Sequence, residues 1–306
     1  MPDPAAITEA AARIAPHIRR TPLLDPGGGA FGVPVVLKLE LLQHAGSFKP
    51  RGAFNRILSA AAPEAGVIAA SGGNHGAAVA FAARALGLHA EIFIPEITGA
   101  AKRARIVSFG ATVTQTGATY AEALAASRVR QTQTGALEIH AYDHADVIAG
   151  QGTLGRELEQ DALGLTHVLV ATGGGGLIGG VAAWYAGRAQ VISVEPEACP
   201  ALHAALAAGR PVAAPVGGIA ADSLGARQVG ELMFRIAQRH VAGAVLVPDE
   251  AIRQAQAWLW DRCRLVAEPG GATALAALLC GAFTPPAGAR IGVVVCGANT
   301  DPATVT

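Results

Sequence analysis

Charge is scarce in this chain of 306 residues: 15% are Asp, Glu, Lys or Arg, and 23 basic side chains balance 23 acidic ones. Without a basic excess there is no electrostatic footprint for nucleic acid, so no nucleic-acid partner is expected. Cysteine is sparse too. The four thiols, Cys199, Cys263, Cys280 and Cys296, lie far apart and form no CxxC pair. That excludes a zinc ribbon or a disulfide scaffold and suits a reducing compartment. The N-terminal segment MPDPAAITEAAARIAPHIRR carries Asp3 and Glu9 and lacks a continuous apolar run. A secretory signal is therefore not expected, and a cytoplasmic location is.

What the chain has in quantity is apolar side chains and glycine: 51% hydrophobic residues, 38 glycines and a mean hydropathy of +0.37. Two stretches, 65–83 and 168–187, contain no Asp, Glu, Lys or Arg. Each is long enough for a membrane span, but each is broken by a glycine cluster, Ser71-Gly72-Gly73 in one and Gly173 to Gly176 in the other. Adjacent glycines at mid-span would make a poor helix in lipid, which offers the backbone no partners. Both stretches read instead as buried strand–loop–helix segments, and no membrane partner is expected.

Apolar runs of strand length alternate with longer segments of helical period. Strands are expected at 33–39, 67–71, 90–95, 111–116, 137–142, 167–172, 191–196, 241–248 and 291–296. Helices are expected at 48–62, 75–86, 100–109, 118–132, 150–163, 177–187, 199–208, 229–240, 249–262 and 270–282. Loops rich in Gly and Pro fall near 26–34, 209–227 and 284–289. Strands apolar on both faces, each followed by a helix, imply an α/β fold with parallel sheets covered by helices.

In such sheets ligands sit beyond the carboxyl ends of strands, where loops enter helix N-termini. Three segments have this form. In HVLVATGGGGLIGGVAAW (167–184), consecutive glycines let backbone N–H groups converge on an anion, and the following helix adds its positive end. Gly174, Gly176 and Gly179 also satisfy GxGxxG, and Glu195 closes the next strand near the spacing of a ribose-binding acid. The loop alone fits a dinucleotide-binding oxidoreductase as well as it fits a single-phosphate cofactor. In VIAASGGNHG (67–76), Ser71, Gly72, Gly73 and Asn74 make a donor-rich turn suited to a carboxylate or phenolate. In ELLQHAGSFKPRGAFN (40–55), Lys49 sits beside Phe48 and Pro50, a tight, partly apolar setting in which an amine can be nucleophilic.

Together these segments resemble the serine/threonine dehydratase family of pyridoxal-phosphate enzymes, which share the tryptophan-synthase β-like fold. GSFKPRGAFN is similar to the family's Schiff-base segment, with the lysine at Lys49. SGGNHG is similar to its asparagine loop, and GGGGLIGG to its phosphate cup. HAYDHADVIAGQGTLGREL (140–158), ADSLGARQVGEL (221–232), AEPGGATALAALL (267–279) and VVVCGAN (293–299) follow in family order. The resemblance covers nearly the whole chain.

It implies pyridoxal 5'-phosphate as cofactor, with Lys49 catalytic. Phe48, Lys49, Asn74, Gly173, Gly174, Gly175, Gly176, Leu177 and Cys296 would hold the cofactor; Ser71, Gly72, Gly73, Asn74 and His75 would hold the substrate. It further implies two parallel-sheet units: a larger one of residues 1–60 and 146–306, and a smaller, mobile one of residues 61–145 carrying the asparagine loop. A homodimer is the expected assembly. The implied activity is β-elimination from a hydroxy amino acid to a 2-oxo acid and ammonia, as in L-threonine/L-serine ammonia-lyases. Alternatives are a serine or hydroxyaspartate racemase/dehydratase, a β-replacement enzyme of the same fold, and a non-catalytic amino-acid-binding relative.

Departures from the family pattern refine these expectations. Racemases of the family carry a second serine where this chain has Gly72, so little racemisation is expected. Most relatives have serine at Cys296; a thiol of pKa about 8.5 would not keep the pyridine nitrogen protonated, which favours elimination over longer-lived carbanions. Some relatives bind a divalent ion through a glutamate and an aspartate six residues on. Here those positions are Glu195 and Ala201, and no metal is expected there or at His140, Asp143, His144 and Asp146. With the chain ending at Thr306, the regulatory domain of biosynthetic threonine dehydratases, and with it isoleucine feedback, is not expected.

Overall fold

Asp3 accepts a hydrogen bond from the Ala6 N–H and Pro4 follows it, so a helix begins at the very N-terminus: α1, Pro4–Ile14. Its buried face, Ile7, Ala10 and Ile14, has helical spacing but was not among the expected elements. In this computed structural model the described residues are 1–27 and 29–305. Residue 28 of the loop expected at 26–34, and residue 306 at the end of the larger unit, lie outside them.

The chain continues through β1 (Leu23–Leu24), β2 (Val35–Lys38), α2 (Lys49–Ser59), β3 (Val67–Ala70), α3 (Asn74–Ala85), β4 (Ala90–Ile94) and α4 (Ala100–Ser108). Then come β5 (Thr112–Gln115), α5 (Tyr120–Thr134), β6 (Leu137–Glu138), α6 (Ala145–Asp161), β7 (His167–Ala171), α7 (Gly176–Tyr185) and β8 (Gln190–Pro196). The last part holds α8 (Ala201–Ala208), α9 (Ala221–Leu224), α10 (Glu231–His240), β9 (Val241–Val247), α11 (Asp249–Cys263), α12 (Pro269–Leu279) and β10 (Ile291–Val294).

The strands form two sheets, ordered β1-β2-β10-β7-β8-β9 and β5-β4-β3-β6. Every pairing is parallel except the short β1–β2 pair. The fold is thus α/β, as the alternation requires. The four strands of the smaller sheet all fall between residues 67 and 138. The larger sheet has one apolar cluster and the smaller sheet two, and Ala53, Phe54 and Ile57 of α2 pack into one of the latter. No helix among the described residues is long and apolar enough to cross a membrane.

Two elements depart from the expected boundaries for identifiable reasons. The strand expected at 137–142 stops at Glu138 because the His140 Nδ1 accepts the N–H groups of Tyr142 (3.2 Å) and Asp143 (2.9 Å), turning the chain. The helix expected from residue 150 begins at Ala145 because His144 caps it, accepting from the Asp146 N–H at 3.2 Å. Glycine then brings helices nearly backbone to backbone. A Cβ on Gly180 of α7 would lie 2.4 Å from the Gly152 nitrogen of α6, and one on Gly150 would lie 2.5 Å from the Arg51 carbonyl oxygen of α2. Small residues therefore let α2, α6 and α7 nest closely, which fixes the start of α2.

Candidate active site

Lys49 is the first residue of α2, and Pro50 suits that first turn, where no backbone N–H is needed. The preceding Phe48 N–H donates to the Cys296 carbonyl at 3.2 Å, tying the helix start to the chain leaving β10. The Lys49 ammonium donates to the Ala141 carbonyl at 2.8 Å and lies 5.2 Å from the centre of the Phe48 ring. Burial lowers its pKa to about 8, although Cys296 and Glu268 pull the other way. An amine in this state is partly free base near neutrality.

Ser71 follows β3, held by its N–H to the Phe93 carbonyl at 3.0 Å, and its hydroxyl accepts from the Gly73 N–H at 3.2 Å. The loop turns at once into α3, so Asn74 and His75 stand at a helix N-terminus. A Cβ on Gly72 would meet the Thr98 side chain at 2.8 Å. The His75 Nε2 lies 2.8 Å from the Ile139 carbonyl, and burial followed by the nearby Lys49 charge lowers its pKa to about 3. His75 is therefore a neutral ring that donates through Nε2. Asn74 donates from Nδ2 to the Glu268 carboxylate at 2.6 Å, and its Oδ1 accepts from Asn299 Nδ2 at 2.5 Å.

Lys49 and residues 71–75 line one cleft of ≈ 440 Å³, faced by Thr98, Tyr120 and Ser223. At its rim Lys102 of α4 and Asp222 of α9 form an exposed ion pair of 2.8 Å. The glycine loop reaches this cleft through shared walls. A Cβ on Gly174 would sit 2.4 Å from the Tyr142 ring, and one on Gly173 would sit 2.9 Å from the Leu224 backbone. Tyr142 adjoins the carbonyl that takes Lys49; Leu224 lies between Ser223 and Gly225, which line the cleft. Gly175 has φ +92° and packs against Met233, so a side chain would be both strained and blocked there. Helix α7 starts at Gly176 with Leu177 buried in its first turn. Its first N–H groups lack intrahelical acceptors and favour an anion.

Cys296 lies two residues beyond β10, not in the strand expected to run to 296. Its thiol is buried and donates to the Gly270 carbonyl at 3.4 Å; burial and then Glu268 raise its pKa, so it stays protonated. Glu268 immediately precedes α12 without a side-chain bond to it, and burial raises its pKa to about 7 against the bond from Asn74 and the charge of Arg105.

Other candidates are occupied elsewhere. The Glu195 oxygens accept the N–H groups of Leu202 (2.6 Å) and His203 (2.8 Å), capping α8. That aims the carboxylate away from a ribose on the glycine loop. Asp143 caps α10 through the Leu232 and Met233 N–H groups at 3.0 and 3.1 Å, while Asp146 pairs with Arg56 at 3.2 Å. Among the described residues no group of His, Cys, Asp and Glu is arranged to hold a metal ion.

Sequence reasoning missed several neighbours of the site. Glu268, Asn299, Thr98 and Tyr142 adjoin it, and beneath Lys49 lies a buried ionic cluster. Arg51 donates from Nε and Nη2 to Glu40 (2.8 and 2.7 Å) and from Nη1 and Nη2 to Glu157 (both 2.8 Å). Lys38 donates to the same Glu157 at 2.9 Å and to the Thr21 carbonyl at 2.7 Å. Burial opposes the Arg51 charge, but Glu40 and Glu157 outweigh it and raise its pKa. Glu268 belongs to the AEPGG segment already quoted; nothing in the sequence foretells the pairing of Arg51 with Glu157.

A family model described as "Pyridoxal-phosphate dependent enzyme" matches residues 14–297. The chain is 38% identical to an L-threonine ammonia-lyase of Geobacter sulfurreducens, over 98% of this chain and 76% of that one. It is 37% identical to a phenylserine dehydratase of Ralstonia pickettii, over 99% and 95%. The structure of maize serine racemase superposes with a TM-score of 0.94 at 33% identity, covering 99% of this chain and 95% of that one.

Proposed function

The chain belongs to the pyridoxal-phosphate dependent enzyme family, and from that premise we propose that it is an L-threonine/L-serine ammonia-lyase. It eliminates water from a small hydroxy amino acid, and hydrolysis of the released enamine, which takes up one water, yields a 2-oxo acid and ammonia. The observation that carries this reading is one cleft holding a partly deprotonated buried amine, Lys49, opposite a donor-rich helix N-terminus, residues 71–75. The relatives named as an L-threonine ammonia-lyase and a phenylserine dehydratase support the same class of reaction.

The residues fit pyridoxal phosphate. The glycine loop presents bare backbone and a free helix N-terminus where any Cβ would collide with Tyr142, Leu224 or Met233. The Ser47 hydroxyl, two residues before Lys49, is buried without a protein partner. When bound, the cofactor supplies an electron sink for the pair released as the α-proton leaves.

The chain's own groups do the rest. Gly173 to Gly176 and Leu177 would hold the phosphate by backbone donors, Phe48 would pack at the ring, and Asn74 would donate to the phenolate. Cys296, kept as a thiol, would meet the pyridine nitrogen without charging it. Ser71, Gly72, Gly73, Asn74 and His75 take the substrate carboxylate. Lys49 Nζ accepts the α-proton; its pKa of about 8 lets it both take and return a proton near neutral pH.

Residues 1–60 and 146–306 act as the larger unit, and 61–145 as the smaller one that closes over substrate. The confinement of one sheet to residues 67–138 supports this division. The enzyme works as a cytoplasmic homodimer; the sparse, unpaired cysteines support the compartment. Racemisation would need a second proton donor across from Lys49. Gly72 offers none, and Thr98 fills the space a side chain there would take.

Purified holoenzyme assayed with L-threonine, L-serine, 3-hydroxyaspartate and phenylserine should release ammonia and 2-oxo acid in equal amounts, with D-serine formation from L-serine far slower. Borohydride should bleach its visible band and leave the label on Lys49. Failure to release ammonia from every hydroxy amino acid would overturn the activity. A colourless protein that cannot be reconstituted would overturn this account of the cofactor site.

A further inference from the structure

Asn74 can present either its carbonyl or its amino group to the cleft, and only a donor suits a phenolate. The choice is fixed by groups on either side of it. The Ala45 carbonyl, an acceptor only, takes one N–H of Asn299 at 2.9 Å. The other N–H of Asn299 goes to Asn74 Oδ1 at 2.5 Å, and Asn74 Nδ2 gives one N–H to Glu268 at 2.6 Å.

Every alternative polarity fails somewhere along this chain. Turning Asn74 alone would set its oxygen against the Glu268 carboxylate and its amino group against that of Asn299. Turning both amides would set the Asn299 oxygen against the Ala45 carbonyl. An acceptor at each end therefore orders both amides. Both N–H groups of Asn299 are used, and one N–H of Asn74 remains.

Resting on the reading of Asn74 as a cofactor contact, we propose that Glu268 and Asn299 are positioning residues that lock the Asn74 amide with a single N–H free for the cofactor phenolate. The three amide and carboxylate groups come from separate parts of the chain: Asn74 opens α3, Glu268 precedes α12, and Asn299 follows β10. The lock thus lies beside the cleft and joins the loop after β3 to the chain around α12 and β10.

The test is the dissociation constant of pyridoxal phosphate from the apoenzyme at pH 8, by equilibrium dialysis, with the pH midpoint of the holoenzyme's visible band as second readout. Asn74→Ala should weaken binding about tenfold, the order of one hydrogen bond to a charged acceptor. Glu268→Ala and Asn299→Ala should each approach that loss and move the band midpoint the same way. Glu268→Gln, which keeps an acceptor oxygen, should retain most of the affinity. Combined with Asn74→Ala, neither alanine variant should weaken binding further, because each acts through Asn74.

Additive losses in the double variants, or wild-type affinity in both Glu268→Ala and Asn299→Ala, would overturn the lock. Should Glu268→Ala fail to fold, Asn299→Ala decides alone, since it leaves the buried Glu268 carboxylate in place. Wild-type affinity in Asn74→Ala would instead overturn the cofactor reading on which the lock rests.

Discussion

Two buried polar clusters meet at the start of α2, and burial has opposite consequences in them. Below the helix, Lys38, Glu40, Arg51 and Glu157 are all buried, yet two cations face two anions at 2.7–2.9 Å. There pairing outweighs desolvation: the Arg51 pKa rises and that of Glu157 falls. Above it, Lys49 falls to about 8, His75 falls to about 3 and Glu268 rises to about 7. The opposite charges near Lys49 and Glu268 do not outweigh burial, and His75 has none, so each is pushed toward its neutral form. The paired cluster gives rigidity, and the unpaired one gives groups able to exchange protons near neutral pH.

The comparison predicts a separation of function from stability. Lys49→Ala should lower turnover at least about 10³-fold while leaving the apoprotein's urea midpoint unchanged or higher, since a desolvated amine is removed. A large loss of stability with modest loss of turnover would put Lys49 in the wrong cluster. Arg51→Met should do the reverse, costing about 3–5 kcal/mol of unfolding free energy because buried Glu40 loses its cation and Glu157 keeps only Lys38. Urea titration checks this. Unaltered stability would show that water reaches the cluster.

A further effect is expected in acid. His75 binds its proton at about 3 in the folded chain and at 6.5 when unfolded, so the unfolded state carries more protons between those values. Stability contributed by the neutral ring is present above pH 6.5 and is lost as pH falls toward 3. Across that window wild type should lose about 1.4 kcal/mol per pH unit more than His75→Gln. Glu195 and Glu268, whose raised pKa values work in the opposite sense, are common to both proteins and cancel in the difference.

Much of this was legible in the sequence because its signals are local. Strand–helix alternation gave the α/β class, and glycine clusters after strands marked the loops at 71–76 and 173–176 that now face one cleft or its walls. Helix α1 is legible too, in Asp3, Pro4 and the spacing of Ile7, Ala10 and Ile14. What stayed hidden is non-local. Arg51 and Glu157 lie 106 residues apart, and each looks like a solvated helix residue until the glycines of α6 admit α2. Glu268 and Asn299 became meaningful only through their contacts with Asn74. The shortened β6 depended on the His140 side chain taking backbone N–H groups, which strand propensity does not register.

The quartet beneath Lys49 also constrains how such a protein can change through descent. Its members, at positions 38, 40, 51 and 157, form one unit of inheritance: each single loss leaves the two cations and two anions unbalanced in the interior, whereas joint replacement by apolar residues is tolerable. A lineage must therefore cross a poorly folded intermediate or acquire compensating substitutions first. Sequence libraries built on this chain and selected only for folding should show these four positions kept together or exchanged together, and seldom one at a time.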